Sequence, residues 1–228
     1  MAFWNAPLDD DQHPLHACDS ALAMLKACDD VGVTVKAQAE ERAFQAREAI
    51  VAAKERLEKG DGEAEQEIKS AEEMLVLAEK ERELTVKIGI GLNTDICCVG
   101  NMGSDQRFDY SVLGDGVNLA SRLEGQSKTY GVPVVIGEDT QKQAAEYACI
   151  ELDLIQVKGQ TRPTRIYGLL GDKETALSPD FIAYKELHDE LLLAYRTQKW
   201  DEAAALSKEC RELCAAWNNV TSISKTEV

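Results

Sequence analysis

VGNMGSDQRFDYSVLGDGVNLASRLEGQ, residues 99–126, carries the change of pattern on which the fold turns. Gly100 to Gly103 read as a turn, and Arg107 to Leu113 read as a strand. Gly114 and Asp115 then open a helix running to about Tyr130, where Gly131 ends it and Pro133 stops its continuation. Asn118 and Arg122 are four residues apart, so both project from one face at the start of that helix. An amide, a guanidinium and the positive end of a helix suit a polyphosphate or a developing oxyanion. On composition alone the two read as a solvated surface pair.

Upstream, Val86, Ile88, Ile90 and Leu92 alternate with Lys87, Gly89, Gly91 and Asn93, the period of a strand. Its glycines leave the second face bare, as though a backbone or a ligand passes close by. Residues 36–83 differ in kind: nine basic and fourteen acidic residues, no proline, and one break at Gly60-Asp61-Gly62. Ala39, Ala43, Ala46, Ile50, Ala53 and Leu57 precede the break at heptad spacing, and Ala64, Ile68, Ala71, Leu75 and Ala78 follow it. This pattern predicts an antiparallel helical hairpin. Further upstream, MAFWNAP (1–7) reads as a strand, and Leu15, Cys18, Leu22 and Leu25 as one face of a separate helix.

Downstream, Val134 to Ile136 read as a strand, Asp139 to Tyr147 as a helix, and Ile150 to Val157 and Arg165 to Leu170 as strands. A turn containing Lys158 and Gly159 joins the last two. Pro179 opens a helical tail in which Phe181, Tyr184, Leu191, Leu192 and Tyr195 line one helix. Trp200, Ala204, Leu206, Cys210 and Leu213 line the next. The tail is similar to one tetratricopeptide hairpin, and a lone hairpin of that kind must pack its apolar face on something else.

The 228 residues carry 25 Lys and Arg against 41 Asp and Glu, a net charge of −16. That balance argues against nucleic acid and against a basic membrane-binding face. No apolar run approaches the roughly 18 to 20 residues that span a bilayer, and the N-terminus has no secretory pattern, so a cytoplasmic location is expected. The seven cysteines form no CxxC pair and read as reduced, mostly buried thiols.

Residues 99–126, with MAFWNAPLDD (1–10), KIGIGLNTD (87–95) and VKGQTRPTRIYGLLG (157–171), resemble the class III adenylate/guanylate cyclase catalytic domain, most nearly that of bacterial adenylate cyclases. The resemblance covers residues 1 to about 30 and 86–171 and leaves the charged hairpin unmatched. It implies an α/β (α+β), ferredoxin-like domain over residues 1–171 with the 36–83 hairpin inserted, and 172–228 as a tail. It also implies a dimer whose active site lies between protomers, converting ATP to 3′,5′-cyclic AMP and pyrophosphate. By position, Asn118 would orient the ribose, Arg122 would stabilise charge at the α-phosphate, and Lys158 would meet the terminal phosphates. Ser111 stands at the base-reading position, where its hydroxyl favours ATP over GTP, and Arg107 would contact phosphate from the other protomer.

The departures bear on activity. The family's two aspartates, which hold Mg²⁺ or Mn²⁺, belong to a segment that would precede Met1, along with the first strand and its helices. The metal set is therefore expected to be absent from this chain, and Asp9 to Asp11 lie at the wrong end of the expected strand to replace it. The sheet is expected to lack its first strand. Asp95 stands where relatives have glycine. The resemblance thus implies either an adenylate cyclase piece inactive alone, or a partner in a homodimer or heterodimer that lends Asn118 and Arg122 to a complete cyclase.

Overall fold

The computed structural model describes residues 1–104, 107–156 and 163–220. The chain divides into two compact units, one formed by residues 1–25 and 88–228 and the other by residues 26–87. The first is a mixed α+β unit, as the resemblance implies. Its four-stranded sheet contains β1 (Ile90–Leu92), β4 (Val134–Gly137), β5 (Ala148–Ile155) and β6 (Thr164–Gly171), in the order β1-β4-β6-β5. β1 runs parallel to β4, while β6 is antiparallel to both β4 and β5. A two-stranded ribbon, β2 (Cys98–Ser104) and β3 (Arg107–Leu113), stands apart from the sheet.

Helices cover both faces of the sheet. The start of α1 (His13–Glu58) buries Ala17, Cys18 and Ala21 against Ile90, Leu92, Val134, Ile136, Cys149 and Leu169. Against the other face, α3 (Asp115–Tyr130) buries Leu119 and Leu123 on Val135 and Ile166. β4 is buried at every residue because it lies between these two layers, which is why four consecutive apolar or small residues, VVIG, occur there.

The short helix α4 (Glu138–Gln143) lies between β4 and β5, and after β6 come the short α5 (Lys173–Ala176) and then α6 (Pro179–Arg196) and α7 (Trp200–Val220). The last two bury Phe181, Tyr184 and Cys210 against Ala148 and Ile150 of β5, so the tail's apolar face does find the domain. Ser178 caps α6 by accepting from the Phe181 N–H at 3.2 Å, with Pro179 in the first turn. Arg196 donates to Glu151 Oε1 at 2.6 Å, tying the end of α6 to β5.

In the second unit, the remainder of α1 and α2 (Ala64–Arg82) form the hairpin, closed near Gly60, whose φ of 93° suits glycine. Every buried residue in this unit is an alanine: Ala39, Ala43, Ala46, Ala53, Ala64, Ala71 and Ala78. Arg42 pairs with Glu81 at 2.6 Å, Arg47 with Glu79 at 3.2 Å and Arg56 with Glu67 at 2.7 Å across the two helices.

Several expected elements are corrected. Residues 1–7 form no strand; Asn5 takes a left-handed φ of 65° and accepts the Asp10 N–H through its side chain, which folds the segment back on itself. The helix expected around Leu15 to Leu25 and the first hairpin arm are one helix, since nothing between Leu25 and Lys36 breaks it and Gly32 is tolerated inside. Gly100 to Gly103 belong to β2, because pairing with β3 continues to Ser104 opposite Arg107. The strand expected from Val86 shrinks to Ile90–Leu92, where β4 supplies a partner, and the helix expected to Tyr147 ends at Gln143.

Candidate active-site helix

The placement of α3 follows from two glycines. A Cβ on Gly91 would stand 2.1 Å from the Ala120 carbonyl and 2.3 Å from the Glu124 nitrogen, and one on Gly89 would meet Ser127 and Glu124. The backbone that passes the bare face of β1 is therefore α3 itself. With the strand backbone as its seat, α3 turns Leu119 and Leu123 inward and leaves Asn118 and Arg122 together on the exposed face. Gly131, at φ 66°, closes the helix by donating to the Ser127 carbonyl.

The N-terminus of α3 has no side-chain cap on Gly114, and its first bonds are long: Val117 and Asn118 donate to the Gly114 carbonyl at 3.2 and 3.4 Å. Asn93 supplies an outside contact, its Nδ2 donating to the Gly116 carbonyl at 3.3 Å. In the sequence this asparagine reads only as the polar side of a strand, and its place two residues after Gly91 is the one signal of its role. Asp95 lies over Gly116 and accepts the Ile96 N–H at 2.7 Å. The Cys97 thiol is pushed up by burial and by Asp95, an effect opposed by the Val117 N–H.

Ser111 is half-buried on β3, paired in register with Gly100, and a Cβ on Gly100 would meet nothing within 4 Å. There is thus open space beside the serine on the neighbouring strand. Phe3 packs on Tyr110 of the same strand at 5.8 Å between ring centroids. Arg107 opens β3. Lys158 lies outside the described residues. The structure thus brings Asn118 and Arg122 onto one face of α3.

The family resemblance implies a Mg²⁺ or Mn²⁺ pair. Among the described residues, no three His, Cys, Asp or Glu side chains gather as a donor set. In the acidic turn before α1, Asp10 accepts from Gln12 and pairs with His16 Nδ1 at 2.8 Å, and the histidine bond holds its carboxyl below the ordinary range. The described residues do not fit the metal pair.

The family model described as "Adenylate and Guanylate cyclase catalytic domain" matches residues 1–171 in one span that includes the hairpin. Adenylate cyclase 1 of Rhizobium meliloti (strain 1021) is 29% identical over 172 residues, covering 75% of this chain and 19% of that protein. Adenylate cyclase of Anabaena cylindrica is 35% identical over 86 residues, 36% of this chain and 17% of the relative. The chain therefore spans less than a fifth of the length of either. Among solved structures, the guanylyl cyclase Cya2 aligns at 29% identity and a TM-score of 0.36, over 48% of this chain and 55% of that one. A bacterial light-regulated adenylyl cyclase aligns at 32% identity and a TM-score of 0.33, over 37% of this chain and 24% of that one. No helix among the described residues is long and apolar enough to cross a membrane. With three-quarters of its length matched in a single span, the chain belongs to the adenylate and guanylate cyclase catalytic domain family.

Proposed function

We propose that this chain supplies the Asn118 and Arg122 half of an adenylate cyclase active site, in which ATP becomes 3′,5′-cyclic AMP and pyrophosphate. The observation that carries the reading is the pairing of Asn118 and Arg122 on the exposed face of α3, a helix held by backbone contact to β1. Asn118 orients the ribose so that its 3′-oxygen attacks the α-phosphorus as the bond to the pyrophosphate oxygen breaks. Arg122 meets the charge that develops on the α-phosphate oxygens. Ser111 reads the adenine edge, which makes ATP the substrate in preference to GTP. Lys158 and, across the dimer, Arg107 contact phosphate.

The described residues gather no carboxylate donor set, and in this reading the chain works as a partner to a protomer that holds Mg²⁺ or Mn²⁺. In this reading residues 1–171 form the cyclase part, 36–83 an inserted hairpin and 172–228 a helical tail, and the protein acts in the cytoplasm. The test is complementation. Mixed with a cyclase that retains its metal site but lacks its own arginine, the chain should restore cyclic AMP formation from ATP and Mn²⁺. The Arg122→Ala variant should not restore it, and GTP should be a poorer substrate. No gain over either protein alone would overturn the proposal.

A further inference from the structure

Asn93 stands one residue beyond β1 and is partly buried between three elements. Its Nδ2 donates to the Gly116 carbonyl in the first turn of α3 at 3.3 Å. Its Oδ1 lies 2.3 Å from where a Cβ on Gly137 would stand, so the amide occupies the space that a side chain at the β4–α4 junction would take. Next to it, Thr94 Oγ1 lies 3.0 Å from Oγ1 of Thr140, which is 1% exposed, so the segment after β1 is anchored to α4 as well. The turn that receives this contact is weakly held from within. Gly114 offers no side-chain cap, and the Asn118 N–H reaches its acceptor at 3.4 Å.

We infer that Asn93 is a positioning residue: its amide braces the first turn of α3 against the sheet and so fixes where Asn118 stands. The inference rests on the proposed role of Asn118 for its catalytic consequence, but the brace itself does not. An amide suits the place for a physical reason. It donates to a helix carbonyl with one end and fits a side-chain-free pocket with the other. An alanine at 93 leaves the pocket empty, and an aspartate turns an acceptor toward the Gly116 carbonyl. Small displacements at this turn reach a group that must meet the ribose in reacting geometry, where an error of about 1 Å can lower turnover about 100-fold.

Gly137 provides an independent way to move the amide with Asn93 and every residue of α3 left unsubstituted, since a Cβ there would meet Leu123 of α3 only at an ordinary 3.6 Å. Its backbone lies at φ −77° and ψ 162°, open to any residue, so Gly137→Ala introduces a Cβ against Asn93 Oδ1 without backbone strain. The experiment compares Asn93→Ala, Gly137→Ala and the double variant, all in the full chain. Amide hydrogen exchange at Val117 and Asn118 is read directly, and turnover is read in the complementation mixture. Each single variant should speed exchange at both amides by about 10-fold, the loss of roughly one hydrogen bond. Each should lower kcat about 10-fold or more while the apparent KM for ATP stays within about twofold, since an orienting contact is lost rather than binding. The double variant should be no worse than either single one.

Unchanged exchange in Asn93→Ala, or additive effects of the two substitutions, would overturn the inference. If the unsubstituted chain fails to complement, the proposed function fails. The exchange measurement still decides the brace.

Discussion

Substituting Gly91 by alanine tests whether α3 is seated directly on the backbone of β1. The new Cβ would stand 2.1 Å from the Ala120 carbonyl oxygen and 2.3 Å from the Glu124 nitrogen, both backbone atoms in the middle of α3. Neither can rotate away, so the helix must retreat by about 1 Å to restore van der Waals contact, loosening Leu119 and Leu123 from Val135 and Ile166. The cost belongs at the upper end of overpacking penalties, about 3 kcal/mol. For a unit of this size that lowers Tm by about 6 to 12 °C. Gly89→Ala is the internal control. Its closest neighbour is the Ser127 hydroxyl, a side-chain atom that can turn aside, and the loss should stay near 1 kcal/mol or about 3 °C. Urea and thermal unfolding of the two variants, followed by circular dichroism, give the comparison. Equal stability of Gly91→Ala and the unsubstituted chain, or a greater loss for Gly89→Ala, would refute the seating argument.

Three further outcomes are expected. Ser178→Ala removes the cap of α6 and should cost about 1 kcal/mol, recovered by Ser178→Asp; no change in urea midpoint would contradict the cap. Burial pushes the Cys18 and Cys149 thiols up to about 12, so iodoacetamide near neutral pH should label exposed Cys98 and leave these two untouched until the chain unfolds; mass spectrometry reads the order. The Thr175 N–H and hydroxyl hold the Asp172 carboxyl below its ordinary value of 3.8. Because the folded value is depressed, this contribution is complete above 3.8 and is lost as the pH falls through the folded value. Asp172→Asn should therefore lose stability less steeply than the unsubstituted chain as the pH falls below 3.8, and parallel curves would exclude the linkage.

The helix that carries the candidate site was legible because each of its signals is local. Gly114-Asp115 at one end, Gly131 and Pro133 at the other, and the four-residue spacing of Asn118 and Arg122 needed no tertiary information, and α3 spans Asp115–Tyr130. The bare glycine face of β1 was legible too, although the sequence could not distinguish a helix backbone from a ligand as its occupant. What escaped depends on partners distant in the chain. Gly100 to Gly103 look like a turn until β3 is available to pair with them. MAFWNAP is apolar enough for a strand, yet the local bond from Asp10 N–H to Asn5 outcompetes extension. Asn93 carried only the faint signal of its place near Gly91, because its meaning lies in a carbonyl 23 residues away and a missing side chain at position 137.

The alanine seam of the hairpin has a consequence for how its two helices stay aligned. Leucine or isoleucine seams lock axially, because each knob fits one hole, whereas methyl groups present a nearly smooth track. Alanines recur on it at intervals of seven, at 39, 46 and 53 on one helix and 64, 71 and 78 on the other, and the larger Ile50, Ile68 and Leu75 beside them are only half-buried, so shape resists sliding less than in a leucine seam. A shift of one heptad would again set alanine upon alanine, but it would carry Arg42 from Glu81 to Met74. Alignment thus rests on the tight connection at Gly60 and on the ion pairs along the rim, of which Arg47–Glu79 and Arg56–Glu67 are open to solvent. Dissolved salt, which leaves methyl contacts intact, weakens those pairs. Ionic strength therefore loosens the rim of the hairpin, while the alanine contacts and the connection at Gly60 still hold its two helices together.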